Sequence, residues 1–509
     1  MAIKRAAMTV EREAKLVAPA DLELPDLSGL VAGAITVSMP VRQLDAVYYD
    51  TADLRLARSG VTLRYRSGEQ GTPWTVKLPQ PRRGAALTRT EIGFDGPQEV
   101  IPEAAVDLLS AISRGRHLGP VCRLSTTRHP VQIFDSNGLL VAEVVDDTVS
   151  ASSGRRRLRE FREVEIEVYP NAPDNNRLLR KAIRRLTAAG CEALSPTPKL
   201  IRALGARAER PADVTTGALS AQVAIGELVE HAIARSVAQI IRHDPGVRLD
   251  DDPEDVHQLR VGARRLRSDL RTFIPLLDRH RVAKIRGDME WLGKLAGFVR
   301  DADVLAIRLR QAVTFLPEQD RPAGESLLAR LDGQRSAARE ALLAVMRSRR
   351  YLRALDDLVD LAASPPFVAD TTLSDQSPTR VAARLVRRPC KALALAVHAL
   401  GDDPADTALH RVRILAKHCR YAAEAVTPLA RPRFAPFAAA MADVQNLLGD
   451  YHDTVVAEAW LREAAKATPA VGVAAGELIS LERLHRAELR NQWTELWGGA
   501  ASRQVRRWL

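Results

Sequence analysis

Cysteine is scarce in this sequence. The four that occur, Cys122, Cys191, Cys390 and Cys419, stand far apart. No CxxC pair exists, which removes zinc-ribbon and thioredoxin-type chemistry, and a reducing, cytoplasmic setting is expected. Aromatic residues make up only 4% of the chain. That argues against a grip on single-stranded nucleic acid, where bases are held by stacking as well as charge. No run of about 18 or more apolar residues occurs, so no membrane span is expected. The N-terminal stretch lacks a continuous apolar core, so no signal peptide is read.

What is present is positive charge. The 509 residues carry a net charge of +11, with 46% apolar and 27% charged residues. This describes a soluble globular protein of two or three domains. Its excess of base suits a polyanion: nucleic acid, an acidic membrane surface or a phosphorylated small molecule.

The chain has two textures. Residues 1–205 read mostly as short strands, "AVYYDT", "GVTLRYRS", "WTVKL", "LTRTEIGF", "HPVQIF", "LLVAEVVDD" and "FREVEIEVYP", β-branched or aromatic and punctuated by Gly, Pro or Asn. Helices are expected over roughly 102–114 and 174–189, the second capped by Asp174. Residues 206–217 form a linker. From 218 to 509 the period is helical and the composition rich in Ala, Leu and Arg. The break "SPPFVADTTLSDQSP" divides this half into repeats over about 218–363 and 379–509.

Charge in the strands follows the period of two. In "VEREAKL" Glu11, Glu13 and Lys15 share one face. Arg64 and Arg66 alternate in the same way, as do Arg89 and Glu91, and Lys77 lies in an apolar strand. Glu163, Glu165 and Glu167 alternate with Val164, Ile166 and Val168. A half-buried sheet with a solvated face would account for any one such strand. Strand after strand with one sign at the repeated positions is different, because adjacent carboxylates repel unless a cation sits among them. Closed into a barrel, these faces would make a cavity of both signs, with bases for phosphate oxygens and carboxylates for a divalent cation.

The EREAK stretch resembles the ExExK signature of the CYTH superfamily, the triphosphate tunnel metalloenzymes. The resemblance continues in order through the Arg64/Arg66 strand, Lys77, Arg89 and Glu91, the EVEIE strand and "SPTPKL". It implies an eight-stranded antiparallel tunnel, working with Mg²⁺ or Mn²⁺, that hydrolyses inorganic triphosphate, thiamine triphosphate or RNA 5′-triphosphate, or cyclises ATP. It implies phosphate contacts by Lys15, Arg64, Arg66, Lys77 and Lys199, with Arg89 paired to Glu91, and metal ligation by Glu11, Glu13, Glu163, Glu165 and Glu167. A basic pair of the family falls at Arg123 and Arg128, whose opposite parity prevents both from pointing inward on a regular strand. A family aspartate falls at Asp146 or Asp147, and Asp147 is counted with the ligands.

In the second half, "VHQLRVGARRLR" and "LHRVRILAKHCR" align. His257, Arg260, Arg264 and Arg267 match His410, Arg413, Lys417 and Arg420 at offsets of 0, 3, 7 and 10. At about 100° per residue each set falls within an arc of roughly 80°. Neither stripe contains an acid, whereas a solvated helix face usually alternates signs. "LAGFVRDAD" and "LLGDYHD" then align Gly297 with Gly449, Arg300 with His452, and Asp301 with Asp453, which indicates duplication. These blocks resemble the CHAD domain, although Ala296 and His452 depart from its Leu-Gly-x-x-Arg-Asp pattern, and Ile414 stands where the first copy has Val261. The resemblance implies two four-helix bundles about a pseudo-twofold axis, with a basic channel for inorganic polyphosphate.

The expected function is a metal-dependent inorganic triphosphatase whose helical half binds polyphosphate. The alternatives are a non-catalytic polyphosphate binder and an adenylate cyclase or thiamine triphosphatase. No specific nucleic-acid partner and no membrane partner is expected, and association with polyphosphate granules is one expectation. With ordinary histidine pKa values of about 6.5, polyphosphate affinity should rise as pH falls from about 8 to 6. Arg339 and Arg462 serve as off-stripe comparisons.

Overall fold

A computed structural model describes residues 7–31, 33–68, 71–80, 87–169, 172, 174–192, 197–220, 222–368, 377–498 and 502–508. The chain divides into two compact units, one ending at Asp213 and the other beginning at Val214.

The first unit is built on β1 (Ala7–Ala18), β2 (Ile35–Ser38), β3 (Arg42–Asp50), β4 (Thr62–Ser67), β5 (Trp74–Pro79), β6 (Leu87–Phe94), β7 (Gly119–Phe134), β8 (Leu140–Ser153) and β9 (Arg156–Val168). The strand order is β2-β7-β3-β4-β5-β6-β1-β9-β8, and β8 pairs back onto β7. Eight antiparallel strands therefore close into a barrel. Strand β2 is a ninth, added to the far end of β7 from Ile35↔Phe134 to Ser38↔Val131. The period-two pattern decides which way the wall faces. Ala14 and Leu16 of β1, Val144 of β8 and Val164 and Ile166 of β9 turn outward and are buried beneath Leu178, Leu179, Ala182 and Leu186. Those four belong to α4 (Asn175–Ala188), whose cap Asp174 accepts the Arg177 N–H at 2.9 Å. The barrel is thus apolar outside and charged inside.

Three short helices decorate the loops: α1 (Arg55–Arg58), α2 (Glu103–Leu108) and α3 (Ser110–Ser113). The single helix expected over 102–114 is interrupted at Leu109, whose ψ of 0° leaves the helical range. A further helix, α5 (Lys199–Leu204), starts after Pro198. Its Leu200 and Ala203 pack with Ala46, Tyr48, Leu124, Val149 and Ala151. Part of the barrel interior is therefore an apolar seat for α5, which brings Lys199 to the charged part.

The second unit runs α6 (Ile225–Leu249), α7 (Pro253–Thr272), α8 (Arg279–Val313), α9 (Arg321–Met346), α10 (Arg349–Ala363), α11 (Pro378–His398), α12 (Asp406–Val426), α13 (Arg431–Ala464), α14 (Pro469–Leu496) and α15 (Ser502–Arg506). Helices α6 to α9 have 25, 20, 35 and 26 residues; α11 to α14 have 21, 21, 34 and 28. Matching order and length show the duplication directly. The halves meet where α7 touches α12 and α9 touches α14, over a core that joins Leu309 and Leu331 to Leu461 and Leu478. Residues 369–376 of the Pro/Ser/Asp-rich break lie outside the described residues. Helix α7 begins sharply: Asp252 accepts the Glu254 N–H at 2.8 Å and Pro253 takes the first position. No described helix is long and apolar enough to cross a membrane.

Candidate functional site

The barrel holds a cavity of about 340 Å³ walled by Glu11, Glu13, Lys15, Arg64, Arg66, Lys77, Arg89, Arg128, Glu165, Glu167 and Lys199. The alternation read in the sequence thus brings these side chains to one space. Lys15 lies 3.1 Å from Glu13 and also contacts Glu165. Lys77 bridges Glu11 at 2.5 Å and Glu91 at 2.7 Å. Lys199 reaches Asp147 at 2.7 Å, Glu165 at 3.0 Å and Glu163 at 3.1 Å. Burial alone would strip charge from these groups, and the pairing reverses this. Burial pushes the Lys15 ammonium down, but Glu13 and Glu165 hold its pKa above the ordinary value. Burial pushes Glu165 up, but Lys15, Lys199 and Arg128 bring it well below the usual carboxylate range.

Several expectations are corrected by this geometry. Arg123 takes the outward parity of β7 and is exposed, while Arg128 faces inward. Asp147 faces inward, whereas Asp146 is held outside by Arg162 at 2.7 Å. Asp147 and Glu163 are fully buried behind the cavity wall. Asp147 accepts Arg128 Nε at 2.9 Å and Nη2 at 2.7 Å, and Glu163 takes Lys199 and Arg202, each at 3.1 Å. Both are paired with cations of the wall, and neither lines the cavity itself. Arg89 does not take Glu91; Lys77 does. The cavity also contains residues that the sequence reading passed over: Arg42, Tyr48, Gln132 and Glu143. Glu143 shares parity with Asp147 in "LLVAEVVDD", which was the available signal, and it sits in register with Glu167.

Carboxylate is in excess around Glu11, Glu13, Glu143 and Glu167. Burial, and then the charges of Glu11 and Glu13, raise Glu167 to about 7. Glu13 Oε1 is buried without a hydrogen-bond partner. Among the described residues no three acidic side chains converge into a finished cation cage; the cations seated among them are Lys15 and Lys77. An all-oxygen, anionic donor set with an orphan oxygen nevertheless fits a hard divalent ion. Among the cations, Arg64 Nε and Arg89 Nε are buried donors without partners.

In the helical unit the two stripes face one another. Arg413 and Arg264 both bear on Arg260, and Arg264, Arg413 and Arg260 all bear on Lys417. Burial, together with these arginines, lowers Lys417 to about 8. His257 Nδ1, Arg264 Nε, His410 Nδ1 and Arg413 Nε are buried without hydrogen-bond partners. The aligned glycines now have a physical role. The Arg260 Nε passes 3.5 Å from where a Cβ on Gly297 would stand, and Arg413 Nε passes Gly449 at the same distance, so each arginine lies against bare backbone. Arg260 also meets Asp301 at 3.3 Å, Arg267 meets Glu290 at 2.8 Å and Arg420 meets Glu424 at 2.7 Å. His410 packs on His452 with ring centroids 4.1 Å apart. Both stripe histidines have pKa values lowered by burial and then by neighbouring cations, Arg300 for His257 and Arg413 for His410. This shift works against the rise in affinity expected between pH 8 and 6. Arg339 is buried against Asp250 at 3.1 Å and is unsuitable as a neutral comparison.

A closed antiparallel barrel with charge of both signs inside, followed by a duplicated helical unit with paired cationic stripes, defines a two-module tunnel protein. Residues 9–199 match the CYTH domain and residues 231–462 match the CHAD domain. The chain belongs to the family in which a CYTH triphosphate tunnel is fused to a CHAD domain. It is 31% identical over 465 residues to "Uncharacterized protein MT2285" of Mycobacterium tuberculosis, covering 88% of this chain and 87% of that protein. Solved structures similar to part of it include PptA from Streptomyces chartreusis (25% identity, 54% of this chain, 99% of that one, TM-score 0.45). Another is the CHAD domain from the plant Ricinus communis (29% identity, 56% and 95%, TM-score 0.45).

Proposed function

We propose that the tunnel hydrolyses inorganic triphosphate with Mg²⁺ or Mn²⁺, and that the helical unit binds polyphosphate. The observation that carries the first part is the pair of buried, unpartnered guanidinium donors, Arg64 Nε and Arg89 Nε, in a cavity walled mostly by charged side chains. A buried donor left unmade is costly, and phosphate oxygens are the acceptors that a guanidinium fits best. Triphosphate oxygens would take over Lys15 and Lys77 from their carboxylate partners and would meet Arg64, Arg66, Arg89, Arg128 and Lys199 on the cavity wall. Glu11, Glu13, Glu165 and Glu167 would then be free to hold the divalent ion. That ion supplies further neutralisation of charge on the transferring phosphoryl group. Asp147 and Glu163 keep Arg128 and Lys199 aimed into the cavity, so that little reorganisation accompanies the reaction. For the helical unit, the unpartnered Nε atoms of Arg264 and Arg413 support the same argument.

The test is phosphate release from tripolyphosphate, thiamine triphosphate, ATP and long-chain polyphosphate, with and without Mg²⁺ or Mn²⁺. Metal-dependent release from tripolyphosphate above the other three supports the proposal. Cyclic nucleotide from ATP would make the tunnel a cyclase, faster release from thiamine triphosphate would reassign the substrate, and binding without release from any of them would leave a polyphosphate-binding protein.

A further inference from the structure

The two stripes do not end alike. Their shared spacing continues one step further, to offset 14, where α7 carries Arg271 and α12 carries Glu424. Glu424 is engaged by Arg420 of its own helix at 2.7 Å and by Arg265 of α7 at 2.6 Å. There a carboxylate neutralises the last cation of the α12 stripe and one cation from the opposite half. At the equivalent position of α7, Arg271 is exposed, its guanidinium donates to the His418 ring on α12, and its charge bears on Lys417 of the other stripe. His418 accepts only as the neutral imidazole, and burial, followed by the charge of Arg271, keeps its pKa down at about 4. Arg267 of α7 and Arg286 and Glu290 of α8 also bear on Arg271. Glu290 is already taken by Arg267 at 2.8 Å. Arg286 Nε is buried with no hydrogen-bond partner. By the Gly297/Gly449 alignment, its counterpart on α13 is Ala438. The first repeat therefore has two cations where the second has a carboxylate and a methyl group.

We propose that the cationic groove is polarised, and that Arg271 and Arg286 form an extension of it that binds the phosphates of longer polyphosphate chains. This rests on the reading of the helical unit as a polyphosphate binder. From His257 to Arg271 the α7 stripe spans about 21 Å at the rise of an α-helix. Chains that stop short of Arg271 forgo its contact and that of Arg286. Chains that pass it gain both. The Glu424 end offers no such gain. The extension thus sets a preference for chain length and a direction for the excess chain.

The experiment compares the full-length protein with R271A/R286A, with E424Q and with the exposed off-groove pair R310A/R462A. Binding of labelled long-chain polyphosphate is measured at several salt concentrations, and unlabelled chains of graded length compete for the label. The double variant should lose about tenfold in affinity for the long chain. Its slope of log affinity against log salt should shrink by roughly one or more, and competitors should reach full potency at a shorter length. E424Q should bind more tightly, because Arg265 and Arg420 lose their internal partner. R310A/R462A should match the wild type. Unchanged affinity and slope in the double variant, or a loss equal at every chain length, overturns the extension while leaving polyphosphate binding intact. A wild-type protein that does not bind the long chain overturns both readings. Circular dichroism checks the fold. If the double variant unfolds, R271A alone, at an exposed position, must show the same shift in length dependence or the proposal fails.

Discussion

Lys417 makes the groove's response to alkali predictable. Burial and then Arg264 and Arg413 lower its pKa to about 8, against an ordinary 10.5. A bound polyanion counteracts those arginines and raises the pKa again. The sign follows from linkage. Because the pKa is higher in the complex, affinity is fully present below the free value and is lost as pH climbs from it toward the bound value. Between those limits the loss is one decade per pH unit, so affinity for long-chain polyphosphate should fall about tenfold from about pH 7 to about pH 9. Burial and neighbouring cations lower the pKa of both stripe histidines, so the comparison with Lys417→Arg isolates the lysine's share. The assay is fluorescence polarisation of labelled polyphosphate at fixed ionic strength, with wild type beside Lys417→Arg. Arginine keeps its charge throughout and should flatten the slope. A wild-type profile that is flat from pH 7 to 9.5, or a Lys417→Arg profile as steep as the wild type, would refute the reasoning.

Three further outcomes follow from the same geometry. Glu13→Gln should cut metal-dependent triphosphate turnover by about a hundredfold or more and lower the melting temperature, because Lys15 keeps only Glu165; Glu165→Gln should do the same and melt earlier still, because it leaves Lys15, Lys199 and Arg128 short of a buried partner. Arg66→Ala should raise KM and lower kcat together, since contacts to phosphoryl oxygens tighten as charge moves, and native kinetics would show that Arg66 does not touch substrate. Arg260→Ala with Arg413→Ala should weaken polyphosphate binding by at least about tenfold, while Arg310→Ala with Arg462→Ala, both more than half exposed, should leave it unchanged; equal losses would reduce the groove to a generic basic surface.

The tunnel wall was legible because a period of two leaves no freedom: once Glu11 faces inward, Glu13 and Lys15 must follow. What parity does not give is the partner across the sheet. Arg89 and Glu91 are two apart on one strand and so about 6 to 7 Å apart along it. Lys77 lies directly opposite Glu91 in the β5–β6 register, where the separation is shorter, and it takes the carboxylate. Register also decides the surroundings of Asp147 and Glu163, which the resemblance offered as metal ligands. They face one another across β8 and β9 at a level already filled by Lys199, Arg128 and Arg202. Strand β2 and helix α5 were missed because each is a short element whose place is fixed by tertiary packing rather than by its own periodicity. In the helical unit, helix period yielded the stripes, but the histidine pKa values depended on burial and on Arg300 and Arg413, which only the packing reveals.

The mutual pairing inside the barrel also governs how such a sequence can drift. Lys15 answers to Glu13 and Glu165, and Lys199 to Asp147, Glu163 and Glu165. Loss of any one charge leaves a buried, uncompensated opposite charge, which costs far more than loss of the pair. Neutral evolution of the inner wall is therefore confined to coupled exchanges, and the unit of inheritance there is the ion pair rather than the residue. The outer wall beneath α4, held by volume and hydrophobicity alone, is free to change one side chain at a time.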